Sequence, residues 1–187
     1  MKRREFVVGI LRGTGAAAIS FTPLPVWAQQ RVYLTEEQAL KLVFPKADRI
    51  LAEDKELSEA QAVAIEQRLR YRLASRRQRV YRAESSGQTT GYAMIVNEVG
   101  KEQFITFIVG INPDFKVRRV ALMVFRESRG GEVQDTRFAN QFKGKSDKDP
   151  IAIGVDVIGI TGATLSSRAF CRGVKKALLI CETLYKS

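Results

Sequence analysis

Histidine is absent from this 187-residue chain, and cysteine occurs only twice. The missing histidine excludes His-based catalytic triads, histidine-ligated zinc and histidine-ligated haem. Cys171 and Cys181 fall in one predicted helix, where a rise of about 1.5 Å per residue places them about 15 Å apart, too far for a disulfide. We expect both to be core thiols. Iron–sulfur and haem-attachment spacings are also lacking, so any electron transfer by this chain would need an organic cofactor.

The N-terminus also lacks a long apolar run. The segment Lys2 to Phe6 (Lys-Arg-Arg-Glu-Phe) resembles a twin-arginine export signal, and the weakly apolar stretch that follows is interrupted by Arg12. A stable membrane span needs about 20 apolar residues. Val26-Trp27-Ala28 suits cleavage before Gln29. Residues 1–28 are therefore predicted to be a signal peptide, with the mature chain in the periplasm or tethered to the membrane if the leader is not cut.

Positive charge is abundant, with a net charge of +11. Removing the leader's net +3 leaves about +8 on the mature chain. For an exported protein this favours an acidic redox partner or an anionic membrane surface over nucleic acid. Seven arginines lie between Arg68 and Arg82. They predict a basic helix, which is either a solvated face or a docking surface for such a partner.

Two capping boxes predict N-terminal helices. Thr35 and Gln38 open the first helix, which Pro45 stops, and Ser58 and Gln61 open a second, which we expect to run to about Arg76. Residues 29–86 are accordingly predicted to form an N-terminal helical segment.

The rest of the chain is β-patterned before a closing helix. Runs over 91–96, 103–111 and 117–125 are separated by short turns and predict antiparallel strands. A further β-rich run is expected over 151–160, and an amphipathic helix from about Leu165 to Tyr185. The pattern predicts an α+β fold, an antiparallel sheet packed by helices, with residues 87–187 as its second domain.

The start of this last helix is rich in small and hydroxyl residues. The chain reads Thr161-Gly162-Ala163-Thr164-Leu165-Ser166-Ser167. Such a stretch is typical of a helix N-cap. It also suits an anion, most often a phosphate, because unpaired N–H groups and the positive end of the helix dipole meet there.

This motif resembles the Ser/Thr-Gly-Ala-Thr-x-Thr/Ser-Ser signature of the FMN-binding domain family, and the resemblance extends over roughly 91–184. It implies that a flavin transferase links FMN from FAD as a phosphoester to Thr164. Gly162 and Ala163 would permit close approach, and Leu165 lies within the same motif. The resemblance assigns the phosphate to the helix-start N–H groups and to the hydroxyls of Thr161, Ser166 and Ser167. The family's Asp three residues before the first Ser/Thr is replaced by Ile158.

A second segment resembles the family's Glu-Thr-Pro-Gly-Leu-Gly loop and the aromatic motif after it. It begins Glu127-Ser128-Arg129-Gly130-Gly131 and continues with Phe138-Ala-Asn-Gln-Phe-Lys-Gly144. The resemblance implies that Glu127, Ser128, Gly130 and Gly131 line the flavin ring. The alternative is a plain Gly-Gly loop between a strand and a helix.

Together these features predict an exported FMN-carrying electron-transfer component, without a metal and without catalytic side chains of its own. Its implied partners are the flavin transferase and a quinone-linked or haem-bearing membrane complex. Two alternatives are FMN bound without the ester and a cofactor-free extracytoplasmic binding or assembly module of the same fold.

Overall fold

The computed structural model describes residues 30–186, so the predicted signal peptide lies outside the described residues. Six strands and four helices follow one another, with a 3-10 turn over Gly131–Gln134. In chain order they are β1 (Arg31–Val32), α1 (Glu36–Val43), β2 (Arg49–Glu56), α2 (Glu59–Leu69), β3 (Arg77–Ser85), β4 (Gln88–Val99), β5 (Phe104–Ile111), β6 (Val117–Phe125), α3 (Thr136–Asn140) and α4 (Thr164–Tyr185).

The strands form one six-stranded sheet in the order β1-β6-β5-β4-β3-β2. Every neighbouring pair is antiparallel. Helices α2, α3 and α4 cover one face and α1 covers the other, each over its own cluster of buried side chains. The predicted α+β class, with a long C-terminal helix beginning at the hydroxyl-rich motif, is confirmed.

Both predicted capping boxes are present. Thr35 and Gln38 bond each other's backbone N–H groups at the start of α1, and Ser58 and Gln61 do so at the start of α2. The predicted extent of α2 is wrong, however. It ends at Leu69 because Arg70 takes a left-handed conformation (φ 62°), which stops the helical hydrogen-bond ladder.

The basic helix predicted between Arg68 and Arg82 is also wrong, since most of its second half is strand β3. Asp54 on β2 faces Arg79 in the pairing register and accepts bonds from it at 2.9 Å and from Arg77 at 3.0 Å. These guanidiniums, Arg79 first, lower the pKa of Asp54 to about 2. The helical description of residues 29–86 therefore omits three strands: the short β1, and β2 and β3, whose charged residues concealed the strand pattern.

The β-rich run predicted over 151–160 is a loop with one isolated bridge between Ile153 and Val157. The Asp156 carboxylate accepts the N–H groups of Ile151 and Ala152, at 3.1 and 2.8 Å, and pairs with Lys145. These bonds satisfy the backbone locally, so the segment does not need a strand partner.

Helix α4 lies close against the sheet. The rings of Phe107 on β5 and Phe170 on α4 stack with centroids 4.1 Å apart. Cys171 and Cys181 are buried free thiols, as predicted, and burial raises the pKa of Cys171 to about 12. Among residues 30–186, no helix is long and apolar enough to cross a membrane.

Replacing Gly173 of α4 by Ala should destabilise the fold. The added Cβ would lie 2.5 Å from Phe107 Cζ and 3.0 Å from Glu98 Cγ. Overpacking costs about 1–3 kcal/mol, and a clash with a buried ring belongs at the upper end. Alanine regains about 1 kcal/mol of helix propensity. We expect urea unfolding to show a net loss of about 1–2 kcal/mol.

A double-mutant cycle provides the control. With Phe107→Leu in the background, Gly173→Ala should cost less, because the ring atom that it meets is gone. A Gly173→Ala chain as stable as the parent would contradict the close approach of α4 to the sheet.

Candidate functional site

Helix α4 begins without a side-chain cap. Its N-cap residue is Ala163, and among residues 30–186 no side chain bonds its first N–H groups. The first intrahelical bond runs from the Ser167 N–H to the Ala163 carbonyl, at 2.9 Å. The N–H groups of Thr164, Leu165 and Ser166 therefore lack an intrahelical acceptor, and they carry the positive end of a 22-residue helix. The motif is not an ordinary Ser/Thr N-cap.

Thr161, Gly162 and Thr164 are exposed, and Leu165 is 44% exposed. Gly162 adopts φ +81°, which favours glycine, and apart from the glycine and its two chain neighbours no atom of residues 30–186 lies within 4 Å of the position that its Cβ would take. The Thr164 hydroxyl thus stands at an open turn beside unpaired N–H groups.

The two serines of the motif are buried. The Ser167 hydroxyl donates to the Ala163 carbonyl at 2.9 Å and accepts the Ile160 N–H at 3.2 Å, so it fixes the turn before the helix. This burial corrects the phosphate contact expected of Ser167, whose hydroxyl is fully enclosed. Ser166 is 4% exposed and faces the Gly130 loop.

Gly130 brings the second segment against the helix start. Its φ is +90°, and a Cβ there would lie 2.7 Å from Ser166 Oγ and 3.6 Å from Ala163 Cβ. A side chain at 130 would therefore collide with the first turn of α4. The two segments that resemble the family's motifs meet in space at this glycine.

An open cleft of about 470 Å³ lies where these segments meet. Ser128, Gly130, Gly131 and Gly162, all predicted site residues, line it. The remaining lining residues are Arg31, Arg129, Glu132 and Gln134. Sequence reasoning missed Arg31, which comes from β1 at the far end of the described chain and carries no local motif.

Glu127 has a different position from the one expected. Its Oε1 accepts the N–H groups of Lys101, Glu102 and Gln103 at 2.5, 2.8 and 3.0 Å, and the residue is 5% exposed. The carboxylate therefore holds the backbone of the turn between β4 and β5. This geometry corrects the prediction that Glu127 lines the flavin ring, while Ser128 and the two glycines remain on the cleft.

A second, more apolar hollow of about 600 Å³ lies beside the helix start, with Phe138, Ile158, Gly159 and Ile160 in its wall. Gln141 fixes this wall, because its side-chain amide accepts the Ile158 N–H at 2.8 Å and donates to the Ile158 carbonyl at 3.1 Å. The Ile158 side chain, in place of the family's Asp, is 79% exposed.

The charges around the helix start suit an anion. Arg31 and Arg129 line the cleft, and Arg168 is exposed one turn beyond Thr164. None of these three forms an ion pair with any residue in the part of the chain that the structure describes. The exposed threonine, the unpaired N–H groups, the glycines and the two arginines of the cleft together fit a phosphate with a larger planar group beside it.

Comparisons with known proteins agree with this geometry. Residues 100–179 match the family model described as "FMN-binding domain". The chain is 28% identical over 106 residues to one of the subunits of the proton-translocating ferredoxin:NAD(+) oxidoreductase complex of Clostridium ljungdahlii. That match covers 52% of this chain and 57% of the relative, so the chain spans a little over half of the relative's length.

A solved structure shares the fold. The crystal structure of Shewanella oneidensis NqrC superposes with a TM-score of 0.52 at 15% identity, covering 78% of this chain and 86% of that one. The fold, the meeting of the two motifs at the start of α4 and the family match confirm the predicted resemblance. Residues 100–179 of this chain match an FMN-binding domain, and the match supports FMN as the cofactor of the chain.

Proposed function

We propose that this chain is an exported electron-transfer protein that carries FMN as a phosphoester on Thr164 and relays electrons to or from a membrane-bound redox complex. The observation that carries the proposal is the exposed Thr164 hydroxyl at an uncapped helix start. The relationship to a component of a ferredoxin:NAD(+) oxidoreductase complex supports a membrane complex, quinone-linked or haem-bearing, as the partner.

The residues of the chain bind and orient the cofactor, which supplies the redox chemistry. The N–H groups of Thr164, Leu165 and Ser166 hold the phosphate, and the exposed Thr161 hydroxyl borders the same turn. The glycines at 130, 131 and 162 leave room for a planar ring against the backbone. Arg31 and Arg129 add positive charge, which offsets that of the phosphate.

Covalent attachment requires the flavin transferase. The Thr164 oxygen would bond the phosphorus of the FMN half of FAD, the pyrophosphate linkage would break with release of AMP, and the transferase would take the hydroxyl proton. The exposure of Thr164 and of the neighbouring Ile158 gives an enzyme access to this turn. FMN held through the same N–H groups without the ester is the alternative, because Ile158 provides no carboxylate where the family has one.

Thr164→Val should abolish covalent flavin, because it removes the hydroxyl that is proposed to form the ester while keeping the size of the side chain. The chain is co-expressed with a flavin transferase, and its intact mass is measured after denaturation. We expect the parent to gain the mass of one FMN less one water, as a phosphoester requires, and the variant to gain none. Thr161→Val is the matched control and should retain the adduct, since it alters a neighbouring exposed threonine.

Three outcomes separate the alternatives. A parent chain of unmodified mass whose yellow colour is lost on unfolding would support FMN without the ester. A parent chain that stays colourless after supply of FMN and transferase would support the cofactor-free module. An adduct that survives Thr164→Val would contradict Thr164 as the attachment residue.

Export through the twin-arginine route rests on the leader, and it has its own test. Replacing Arg3 and Arg4 by Lys should leave precursor of full mass in the cytoplasmic fraction, because that route reads the arginine pair itself. Arg12→Lys, the same change elsewhere in the leader, should not affect export. Equal periplasmic recovery of all three chains would contradict the twin-arginine route.

A further inference from the structure

A separate cleft of about 380 Å³ lies between the end of α2, the loop over 150–153 and one side of α4. We call it the α2–α4 cleft. Its lining has four cationic side chains and no carboxylate, and the remaining residues are mainly apolar or aromatic. The cations are Arg68, Arg168, Arg172 and Lys175.

The positive charge of the cleft is only partly balanced. Arg68 pairs with Asp147 at 2.7 Å, and Arg172 shares the Glu98 carboxylate with Lys176. Lys175 donates only to neutral groups, the carbonyls of Asp147 and Asp149, each at 2.5 Å. Burial, followed by the nearby Arg68 charge, lowers the pKa of Lys175. An anion in the cleft would offset the repulsion between Lys175 and Arg68.

Arg168 is the least engaged of the four. It is exposed and forms no ion pair or side-chain hydrogen bond with the described part of the chain. Its guanidinium is therefore available to a ligand at little cost to the fold. It marks the edge of the cleft nearest to the flavin site.

The floor of the cleft is apolar. Ile151 is buried, and Leu69 and Ile153 pack against the main core while they still line the cleft. Tyr71 adds a partly buried aromatic wall. Cationic side chains around an apolar floor suit a group that is itself mixed, namely an apolar side chain flanked by carboxylates.

The position of the cleft on α4 links it to the cofactor. Thr164, Arg168, Cys171 and Lys175 recur at intervals of three or four residues, so they share one side of the helix. Arg168 stands about 6 Å along the axis from Thr164, at a rise of about 1.5 Å per residue. A protein seated in the cleft would therefore lie beside the attachment point.

We propose that the α2–α4 cleft is the docking site of the redox partner, and that it takes an acidic segment of that protein with one apolar side chain inserted between carboxylates. This inference rests on the proposed electron-transfer function and specifies how its partner is recognised. It replaces the arginine-rich helix as the docking surface, since Arg76, Arg77, Arg79 and Arg82 are paired with carboxylates within the chain.

The test uses the peptide acetyl-Asp-Glu-Leu-Glu-Asp-amide as the probe and amide shifts of the ¹⁵N-labelled chain as the readout. We expect the shifted amides to cluster at residues 68–71, 150–153 and 168–175, and the affinity to fall as salt rises. Peptides in which Asp and Glu are replaced by Asn and Gln, or in which Leu is replaced by Ser, should bind more weakly. Arg168→Gln should reduce affinity about two- to fivefold, the scale of one exposed ion pair.

Arg119→Gln is the matched control, because it removes the same charge from an exposed site outside the cleft. Equal affinities of the Arg168 and Arg119 variants would overturn the proposal. So would inorganic phosphate binding as tightly as the peptide. Vesicles of phosphatidylglycerol and phosphatidylcholine that shift the cleft amides, when the peptide does not, would assign the cleft to a membrane instead.

The peptide titration is repeated on the Thr164→Val variant, which separates the proposal of docking in the α2–α4 cleft from that of flavin attachment at Thr164. Peptide binding that persists in this variant supports the docking site whether or not the ester forms. A flavinylated parent chain that does not bind the peptide would overturn the proposed docking site but would not affect the proposal that Thr164 carries FMN.

Discussion

The packing of α4 across the sheet is the contact on which the rest of the arrangement depends. Phe170 stacks on Phe107, and Gly173 lets the helix axis come close enough for Glu98 to approach it. This contact fixes the distance of the helix from the sheet and the direction of its axis. It therefore also fixes the position and direction of its first N–H groups. The proposed flavin site lies at the N-terminal end of α4, and the α2–α4 cleft lies along one side of the same helix. The two proposed binding surfaces therefore share one helix.

The charge distribution of the protein follows from the pairing of β2 with β3. An acidic strand, with Glu53, Asp54 and Glu56, lies beside a basic one and balances most of its arginines across the sheet. Such exposed pairs add little stability individually. Their main effect is to remove positive charge from one edge of the molecule. Cations that form no ion pair within residues 30–186 remain on both faces of the sheet, with Arg119 beside α1 and Arg168 on α4.

The sequence predicted those parts of the fold whose signals are local. The capping boxes at Thr35 and Ser58, the strand Val117–Phe125 and the closing helix are all present, because each depends on neighbours within a few residues. Strand β2 was missed because Arg49–Glu56 is largely charged, and its partner β3 was hidden in a run of arginines. Both strands are specified by long-range pairing, which a local pattern does not encode.

The site was predictable to the same extent. The motif at Thr164 and the glycines at 130 and 131 were identified through a family resemblance, and the structure brings them together. The burial of Ser167, the inward turn of Glu127 and the presence of Arg31 could not be predicted, because each depends on a contact between segments distant in sequence. Residue type alone indicates that a hydroxyl or carboxylate can bind a ligand. It does not indicate whether that group is already buried and hydrogen-bonded to the backbone.

The inward turn of Glu127 has a consequence for the energetics of charge transfer. One carboxylate oxygen holds three successive N–H groups of the turn between β4 and β5, and the next residue, Ser128, is already on the cleft. The loop that borders the proposed flavin site is therefore anchored to the turn between β4 and β5. When a flavin beside it changes its charge, the surrounding dipoles need to move little, because they are already fixed in place. A small reorganisation energy is the property that a relay requires to pass an electron quickly in either direction.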